Sequence, residues 1–271
     1  MPELPEVETT LRGITPHILN KPIIGVNIRN PRLRWPVDRK LESILTGEPF
    51  ISAARRGKYL LLQTQSGCLI IHLGMSGSLR ITDQKAAYEK HDHFEIVFKD
   101  LGSLRLKDPR RFGAVLWTEE PACEHKLLKH LGPEPLSDEF NDEHLFRLSR
   151  KKKLSVKQFI MDSRIVVGVG NIYASEALFI AAVRPATAAG RVSRKNYQKL
   201  TQAIKDVLSK AIGEGGTTLK DFTQSDGSPG YFKQHLYVYG RNTQPCYHCK
   251  TLIKSKIIAQ RNSYYCPACQ K

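Results

Sequence analysis

Short apolar runs separated by glycine and serine dominate the first half of the chain. KYLLLQTQ (58–65), GCLIIHLG (67–74) and SLRIT (78–82) have strand length and strand composition. HFEIVFKD (93–100) and SLRLKD (103–108) predict a hairpin through the turn DLG, and AVLWT (114–118) predicts a further strand. Strands at this spacing suit a sandwich or a barrel-like domain. One helix precedes them. Pro5 suits its first position, Glu6 and Glu8 suit its first turn, and Val7, Leu11 and Ile14 share one face.

After LGPEPLS (131–137) the apolar period becomes helical. Ser137 is placed to cap a helix through EFNDEHLFRLS, and Ser155 one through VKQFIMD. The turn VGVGN (167–171) leads into IYASEALFIAA. Ser193 caps a long helix with a core stripe of Leu200, Ile204, Val207, Leu208, Ala211 and Ile212, which Gly215 and Gly216 end. Residues 217–237 are a long Gly/Ser/Thr/Asp-rich connection, of the kind that carries function or moves. A small cysteine module then closes the chain.

Length and charge narrow the field. A chain of 271 residues is long enough for more than one core and predicts about two domains, and 41% hydrophobic residues is ordinary for a globular protein. No apolar run approaches the ~18 residues of a membrane span, and the acidic start lacks the parts of a signal peptide. A cytoplasmic protein with no membrane partner is expected. Lys+Arg 42 against Asp+Glu 26 gives a net charge of +16. That excess favours a polyanionic partner, and with no basic amphipathic anchor nucleic acid leads. A merely basic soluble protein is the alternative.

CYHC (246–249) and CPAC (266–269), 16 residues apart, have the paired spacing of a four-thiolate zinc site. Cys246, Cys249, Cys266 and Cys269 are thus the expected ligands of one structural zinc. The module from 237 to 271 is too small for an apolar core of its own, so metal would supply its folding energy. An iron–sulfur cluster or disulfides are the alternatives. His248 has no coordination left to make. Cys68 and Cys123, isolated in or near apolar stretches, are expected as buried reduced thiols.

Four further stretches carry candidate chemistry. KTLIKSKIIAQRNSYY, between the cysteine pairs, predicts a hairpin with Arg261 near its turn, solvated or set against a phosphate. GVGNIYASE places Asn171 at a helix start whose free N–H groups suit a phosphate, with Lys151, Lys152, Lys153 and Lys157 nearby in sequence. The same turn would also close an ordinary helix pair. KDPRRFG (107–113) is either a surface turn or a wedge of arginine and phenylalanine for a duplex. Finally, MPELPEVETT would expose a secondary amine at Pro2 once Met1 is removed. An α-amino group titrates near ~8, well below the ~10.4 of lysine, so a useful fraction is a neutral nucleophile near pH 7. Glu3 could move a proton beside it. Otherwise Pro2 and Glu3 only lead into the first helix.

A resemblance carried by the order of motifs bears on these choices. PELPEVET (2–9), RRGKYLLL (55–62), HLGMSGSLR (72–80), KHDH (90–93), DPRRFG (108–113), HLGPEPL (130–136), MDSRIVVGVGNIYASEALF (161–179), GGTTLKDF (215–222), SDGSPGYF (225–232), VYGR (238–241) and the cysteine module with AQR follow one another along the chain. In these the chain resembles the bacterial formamidopyrimidine-DNA glycosylases over essentially its whole length. The resemblance implies an α+β multidomain fold. Its parts are an N-terminal β-sandwich with an N-terminal helix (1–132), a helix–two-turn–helix domain (133–236) with a lesion loop at 217–232, and a zinc finger (237–271).

The implied activity is excision of oxidised purines, such as 8-oxoguanine and formamidopyrimidines, from double-stranded DNA. A Schiff base at Pro2 is then followed by β,δ-elimination at the abasic site. Glu3 corresponds to the acid that assists sugar opening, and Lys58 to a lysine that contacts DNA and assists catalysis. Arg261 corresponds to the zinc-finger arginine that grips phosphate and serves δ-elimination. Met75, Arg110 and Phe112 correspond to side chains that fill the gap left by the flipped base, with Arg110 addressing the orphaned cytosine. His91, Arg110 and Lys151 correspond to DNA contacts, and Lys157, Asn171 and Tyr239 to phosphate-side positions. A monomer bound to lesion-bearing or abasic DNA is expected. Lys107, where threonine is common, and the IAQR run (258–261) depart from the pattern and bear on substrate preference. An endonuclease VIII-like enzyme for oxidised pyrimidines and a non-catalytic zinc-bearing DNA-binding protein are the competing readings.

Overall fold

The protein is described by a computed structural model covering residues 2–99, 102–216 and 236–271. The predicted lesion loop, 217–232, lies outside these. The described residues fall into two compact units, one of 2–129 with 214–216 and one of 130–213 with 236–271.

In the first unit helix α1 spans Leu4–Ile18. Its start is fixed by the Glu6 carboxylate, which accepts the N–H of Glu3 at 2.8 Å. Pro5 is therefore the second helical residue rather than the first. Its missing N–H costs nothing there, because first-turn N–H groups have no helical partner. Val7, Leu11, Ile14 and Ile18 are buried, as the period requires.

Eight strands follow: β1 (Ile23–Ile28), β2 (Ser52–Arg56), β3 (Tyr59–Gln63), β4 (Cys68–His72), β5 (Ser78–Thr82), β6 (Asp92–Phe98), β7 (Gly102–Lys107) and β8 (Ala114–Thr118), with the short helix α2 (Leu41–Leu45) after β1. They form two four-stranded sheets, ordered β1-β6-β7-β5 and β2-β3-β4-β8. All pairs are antiparallel. One apolar cluster joins both sheets to α1, through Val26, Phe94, Ile96 and Leu106 from the first sheet and Leu60, Leu62 and Ile71 from the second. The unit is a β-sandwich. The β6–β7 hairpin forms as predicted. Strands β1 and β2 were not predicted: Gly25 and a register shift interrupt β1, and SAARR in β2 carries almost no apolar signal. Cys68 is buried, but Cys123 is exposed. The latter corrects the expectation for Cys123, which sits past the last strand in a single tight turn, Ala122–Glu124, that has no buried residue.

In the second unit helices α3 (Asp142–Ser149), α4 (Val156–Met161), α5 (Asn171–Ile180) and α6 (Arg194–Gly213) precede the strands β9 (Lys254–Ile258) and β10 (Arg261–Tyr265). Asn141, not Ser137, caps α3: its side-chain oxygen accepts from His144 N at 3.0 Å. Asp142 and Glu143 then complement the helix dipole. Ser137 Oγ instead donates to the Glu134 carbonyl at 3.0 Å. Ser155 and Gln158 form a reciprocal capping box on α4. Ser193 Oγ accepts from Asn196 N at 3.2 Å at the start of α6. The stripe of α6 is buried from Leu200 to Ala211, with Ile212 half-buried. Among the described residues no helix is long and apolar enough to cross a membrane.

Candidate active-site and nucleic-acid-binding residues

Pro2 and Glu3 are both buried, directly before the first residue of α1. Lys58 is the second residue of a two-residue hairpin loop, closed by the pairing of Arg56 with Tyr59. Gly57 opens that loop with φ +58, a conformation that favours glycine. Arg55 braces it: Nη1 donates to the Gly57 carbonyl at 2.9 Å and Nε donates to Glu8 of α1 at 2.9 Å. Glu8 also receives Arg12 at 2.8 Å. Burial pushes the Glu8 carboxyl up, but hydrogen bonds from Arg55 and Arg12 outweigh it and hold the group below the usual carboxylate range. An ion pair thus links the helix that begins behind Pro2 and Glu3 to the turn that carries Lys58.

His72 was not singled out from the sequence. The register of β3 and β4 pairs it with Tyr59, and the two rings lie 4.8 Å apart. Burial, reinforced by the charges of Lys58 and Arg34, pushes its pKa down to about 4. Nδ1 accepts the Gly74 N–H at 3.0 Å, so the neutral ring carries its proton on Nε2. The signal that could have found it is pairing register, since His72 lies directly across from the residue after Lys58.

Met75 and Phe112 are exposed apolar side chains, at 36% and 46%. The Arg110 guanidinium lies 5.0 Å from the Phe112 ring centre. The two loops that carry them touch through backbone. A Cβ on Gly74, whose φ is +66, would fall 2.4 Å from Gly113 N, so only glycine fits. His91 is half-buried, beside the start of β6. Its neighbours form an ion-pair chain: Arg80 bridges Glu89 at 2.9 Å and Asp92 at 2.8 Å, and Lys107 pairs with Glu89. The unusual Lys107 is therefore tied to the segment that leads to His91.

In the second unit Lys151 is exposed, with φ +63, next to exposed Lys152 and Lys153. These three lysines and Arg191 line an open cavity. Lys157 is different. It is 1% exposed, and its ammonium donates to Asn171 Oδ1 at 2.6 Å, Ser263 Oγ at 2.8 Å and the Asn262 carbonyl at 3.3 Å. Asn171, the first residue of α5, also donates from Nδ2 to the Asn262 carbonyl at 3.1 Å. Lys157 and Asn171 thus tie α4 and α5 to the β9–β10 hairpin. Arg261 opens β10 and is exposed, right after the turn residues Ala259 and Gln260, both at positive φ.

Tyr239 packs against Tyr264 with ring centres 5.1 Å apart. Its N–H, with those of Tyr237 and Val238, donates to the buried carboxylate of Glu176 at 2.7–3.0 Å. Burial pushes the Glu176 carboxyl up, against those three hydrogen bonds. Glu176 was also missed from the sequence; it reads there as one polar residue in a helix.

The sulfurs of Cys246, Cys249, Cys266 and Cys269 all lie within 4.8 Å of one another. Cys246 to Cys269 is 4.0 Å and Cys249 to Cys266 is 3.4 Å. A tetrahedron with Zn–S of ~2.3 Å has edges of about 3.8 Å, whereas a disulfide needs about 2.05 Å. The set therefore fits one zinc ion and excludes disulfides. Thr251 holds the Cys249 thiol down at about 6, and burial and the neighbouring sulfurs push Cys269 up. Four sulfurs this close need a cation to be thiolates together. Phe179, Val238 and Ile253 supply the apolar packing. His248 is no ligand; it packs on Phe179 at 5.2 Å and Tyr237 at 5.7 Å.

Family models match three segments: the formamidopyrimidine-DNA glycosylase N-terminal domain over residues 1–115, the H2TH domain of the same enzymes over 131–223, and the zinc finger found in FPG and IleRS over 244–271. The chain is 56% identical to a formamidopyrimidine-DNA glycosylase of Syntrophotalea carbinolica and 54% identical to one of Thioalkalivibrio sulfidiphilus, each over the full length of both chains. Among solved structures it is similar to the Fpg protein of Thermus thermophilus (TM-score 0.89, 35% identity, 99% of this chain and 98% of that one). It is also similar to the Lactococcus lactis Fpg bound to DNA containing an N7-benzyl-Fapy-dG (TM-score 0.93, 32% identity, all of both chains).

Proposed function

The chain belongs to the formamidopyrimidine-DNA glycosylase family, and from that premise we propose that Pro2, Glu3, Lys58 and Arg261 carry its chemistry. It is a base-excision-repair DNA glycosylase with abasic-site lyase activity, its partner is lesion-bearing DNA, and its four-cysteine module is a structural zinc site. When bound, the zinc fixes the hairpin that carries Arg261. The substrates we assign are oxidised purines opposite cytosine.

The observation that carries this assignment is the Glu8–Arg55–Gly57 chain, which ties the helix behind Pro2 and Glu3 to the turn of Lys58. Processed to start at Pro2, the chain presents a secondary amine whose nitrogen attacks C1′ of the flipped nucleotide. The new C–N bond replaces the glycosidic bond, and the electron pair leaves with the base. Glu3 protonates the ring oxygen as the sugar opens, giving an iminium ion at Pro2. Loss of the C2′ proton expels the 3′ phosphate, and a second elimination expels the 5′ phosphate. Lys58 and Arg261 hold those phosphates and stabilise their charge as they leave. Met75, Arg110 and Phe112 fill the vacated stack, and Arg110 meets the orphaned cytosine. His91, Lys151, Asn171 and Tyr239 hold the backbone, while Lys157 acts there through Asn171. With this go the three domains 1–132, 133–236 and 237–271, and a cytoplasmic site of action at the nucleoid.

Borohydride trapping on an 8-oxoguanine:cytosine duplex, with N-terminal sequencing of the adduct, tests this. A covalent complex through Pro2 is expected. No adduct, or one mapped elsewhere, overturns the mechanism, and faster excision of thymine glycol overturns the substrate assignment.

A further inference from the structure

We propose that Asp108 is the positioning residue that sets Met75, Arg110 and Phe112 in mutual register, and so governs discrimination of the base opposite the lesion. This rests on the reading of those three side chains as the ones that fill the vacated stack. Asp108 is 0% exposed. A buried carboxylate persists only where its oxygens are satisfied, so its partners report what it holds in place.

Apart from His93, the hydrogen-bond partners of Asp108 are residues assigned to DNA or their immediate neighbours in sequence. Oδ1 accepts from Ser76 Oγ at 3.0 Å, one residue past Met75, and from Arg110 N at 3.3 Å. Ser76 Oγ itself accepts from Arg110 N at 3.3 Å, so the two loops share one small network. Oδ2 accepts from Gly113 N at 2.7 Å, one residue past Phe112. The Asp108 carbonyl accepts from Arg111 N at 3.2 Å, which helps hold Arg111 at φ +56, and lies 3.0 Å from His93 Nε2. The Asp108 N–H donates to the His91 carbonyl at 3.0 Å.

The side-chain partners are one hydroxyl and two backbone N–H groups. Bonds of this kind fix backbone position more than they add net stability. The close approach of Gly74 to Gly113 leaves the loops no slack to find this register by other means. From a single residue of the turn the carboxylate reaches both loops. A wedge displaced by an ångström fills the stack poorly, and the cost falls on base extrusion and not on the reaction at C1′.

The test uses full-length, zinc-loaded protein with Asp108→Asn and Ser76→Ala. Single-turnover excision of 8-oxoguanine opposite cytosine should fall on the order of tenfold in each. The preference for cytosine over adenine opposite the lesion should narrow, and a 2-aminopurine beside the lesion should report slower extrusion. Borohydride trapping on single-stranded abasic DNA, which has no stack to fill, should stay at the parental level. Unchanged rates and unchanged preference, or parallel loss of single-strand trapping, would overturn the proposal. Should Asp108→Asn fail to fold, Ser76→Ala decides alone, since it keeps the Gly113 bond. Arg110→Ala and Phe112→Ala separate the premises: if they too leave the opposite-base preference intact, the stack-filling reading falls with the proposal, whereas if only they change it, the positioning role alone falls.

Discussion

The ammonium of Lys157 donates to Asn171 Oδ1 at 2.6 Å from a side chain that is 1% exposed. The same nitrogen reaches Ser263 Oγ, so one buried lysine joins the start of α5 to the hairpin that carries Arg261. Lys157→Met keeps the volume and removes the donors. It should cost about 1–3 kcal/mol of stability, because Asn171 and Ser263 lose a buried partner. DNA affinity should fall, but the slope of log K against log salt should stay that of the parent. Loss of a direct phosphate contact would reduce that slope by about 0.9. Affinity measured between 50 and 200 mM salt, on the order of the usual range, distinguishes the two.

His72 should remain neutral throughout the physiological range. Its folded pKa of about 4 lies below the ordinary 6.5, so the unfolded chain binds the proton first as pH falls. The sign follows: stability is fully present above pH 6.5 and is lost as pH falls from there toward 4, by roughly 1 kcal/mol per pH unit in that window. Urea denaturation of the parent and of His72→Gln at pH 7 and pH 5 measures it. The variant should lose the part of the pH dependence that His72 supplies, and an NMR titration of the ring should show no protonation above pH 5 or so.

Zinc removal should act on the second unit. Metal analysis should find one equivalent per chain. A strong chelator or Cys249→Ser should release it and disorder the β9–β10 hairpin, since structural zinc contributes on the order of 10 kcal/mol to such modules. Lys157 would then lose Ser263 and Asn262 as acceptors, and DNA binding should fail. The sandwich core contains no cysteine ligand, so its own unfolding transition should persist.

What could be read from the sequence had a local cause. The β6–β7 hairpin, the Ser155 capping box and the cysteine spacing are all contained in short stretches of chain. Strand β2 was invisible because SAARR earns its place by pairing with β3, not by apolar content. The α3 cap was misplaced because Ser137 and Asn141 are equally good candidates locally, and only packing decides. At the site, Pro2, Glu3 and Arg110 came from motif order. His72, Glu176 and Asp108 did not, because each also acts through a partner far away in sequence: Lys58 for His72, residues 237–239 for Glu176, and Ser76 for Asp108, beside the near partners Gly74 of His72 and Arg110 and Gly113 of Asp108.

The state of the N-terminus decides whether the chain is an enzyme at all. With Met1 retained, the Pro2 nitrogen is a tertiary amide, whose lone pair is delocalised and cannot attack C1′. The surfaces that bind DNA are distant in sequence from that nitrogen. A preparation blocked at Met1 should therefore bind lesion-bearing duplex with near-parental affinity and yield no borohydride adduct. Treatment with methionine aminopeptidase should restore trapping in proportion to the fraction processed, as read by intact mass. Trapping by fully blocked protein would place the nucleophile at another amine, the Met1 α-amine or a lysine, and mapping the adduct separates the two. For a lysine, Lys58, held on its turn by Arg55, is the first residue to replace.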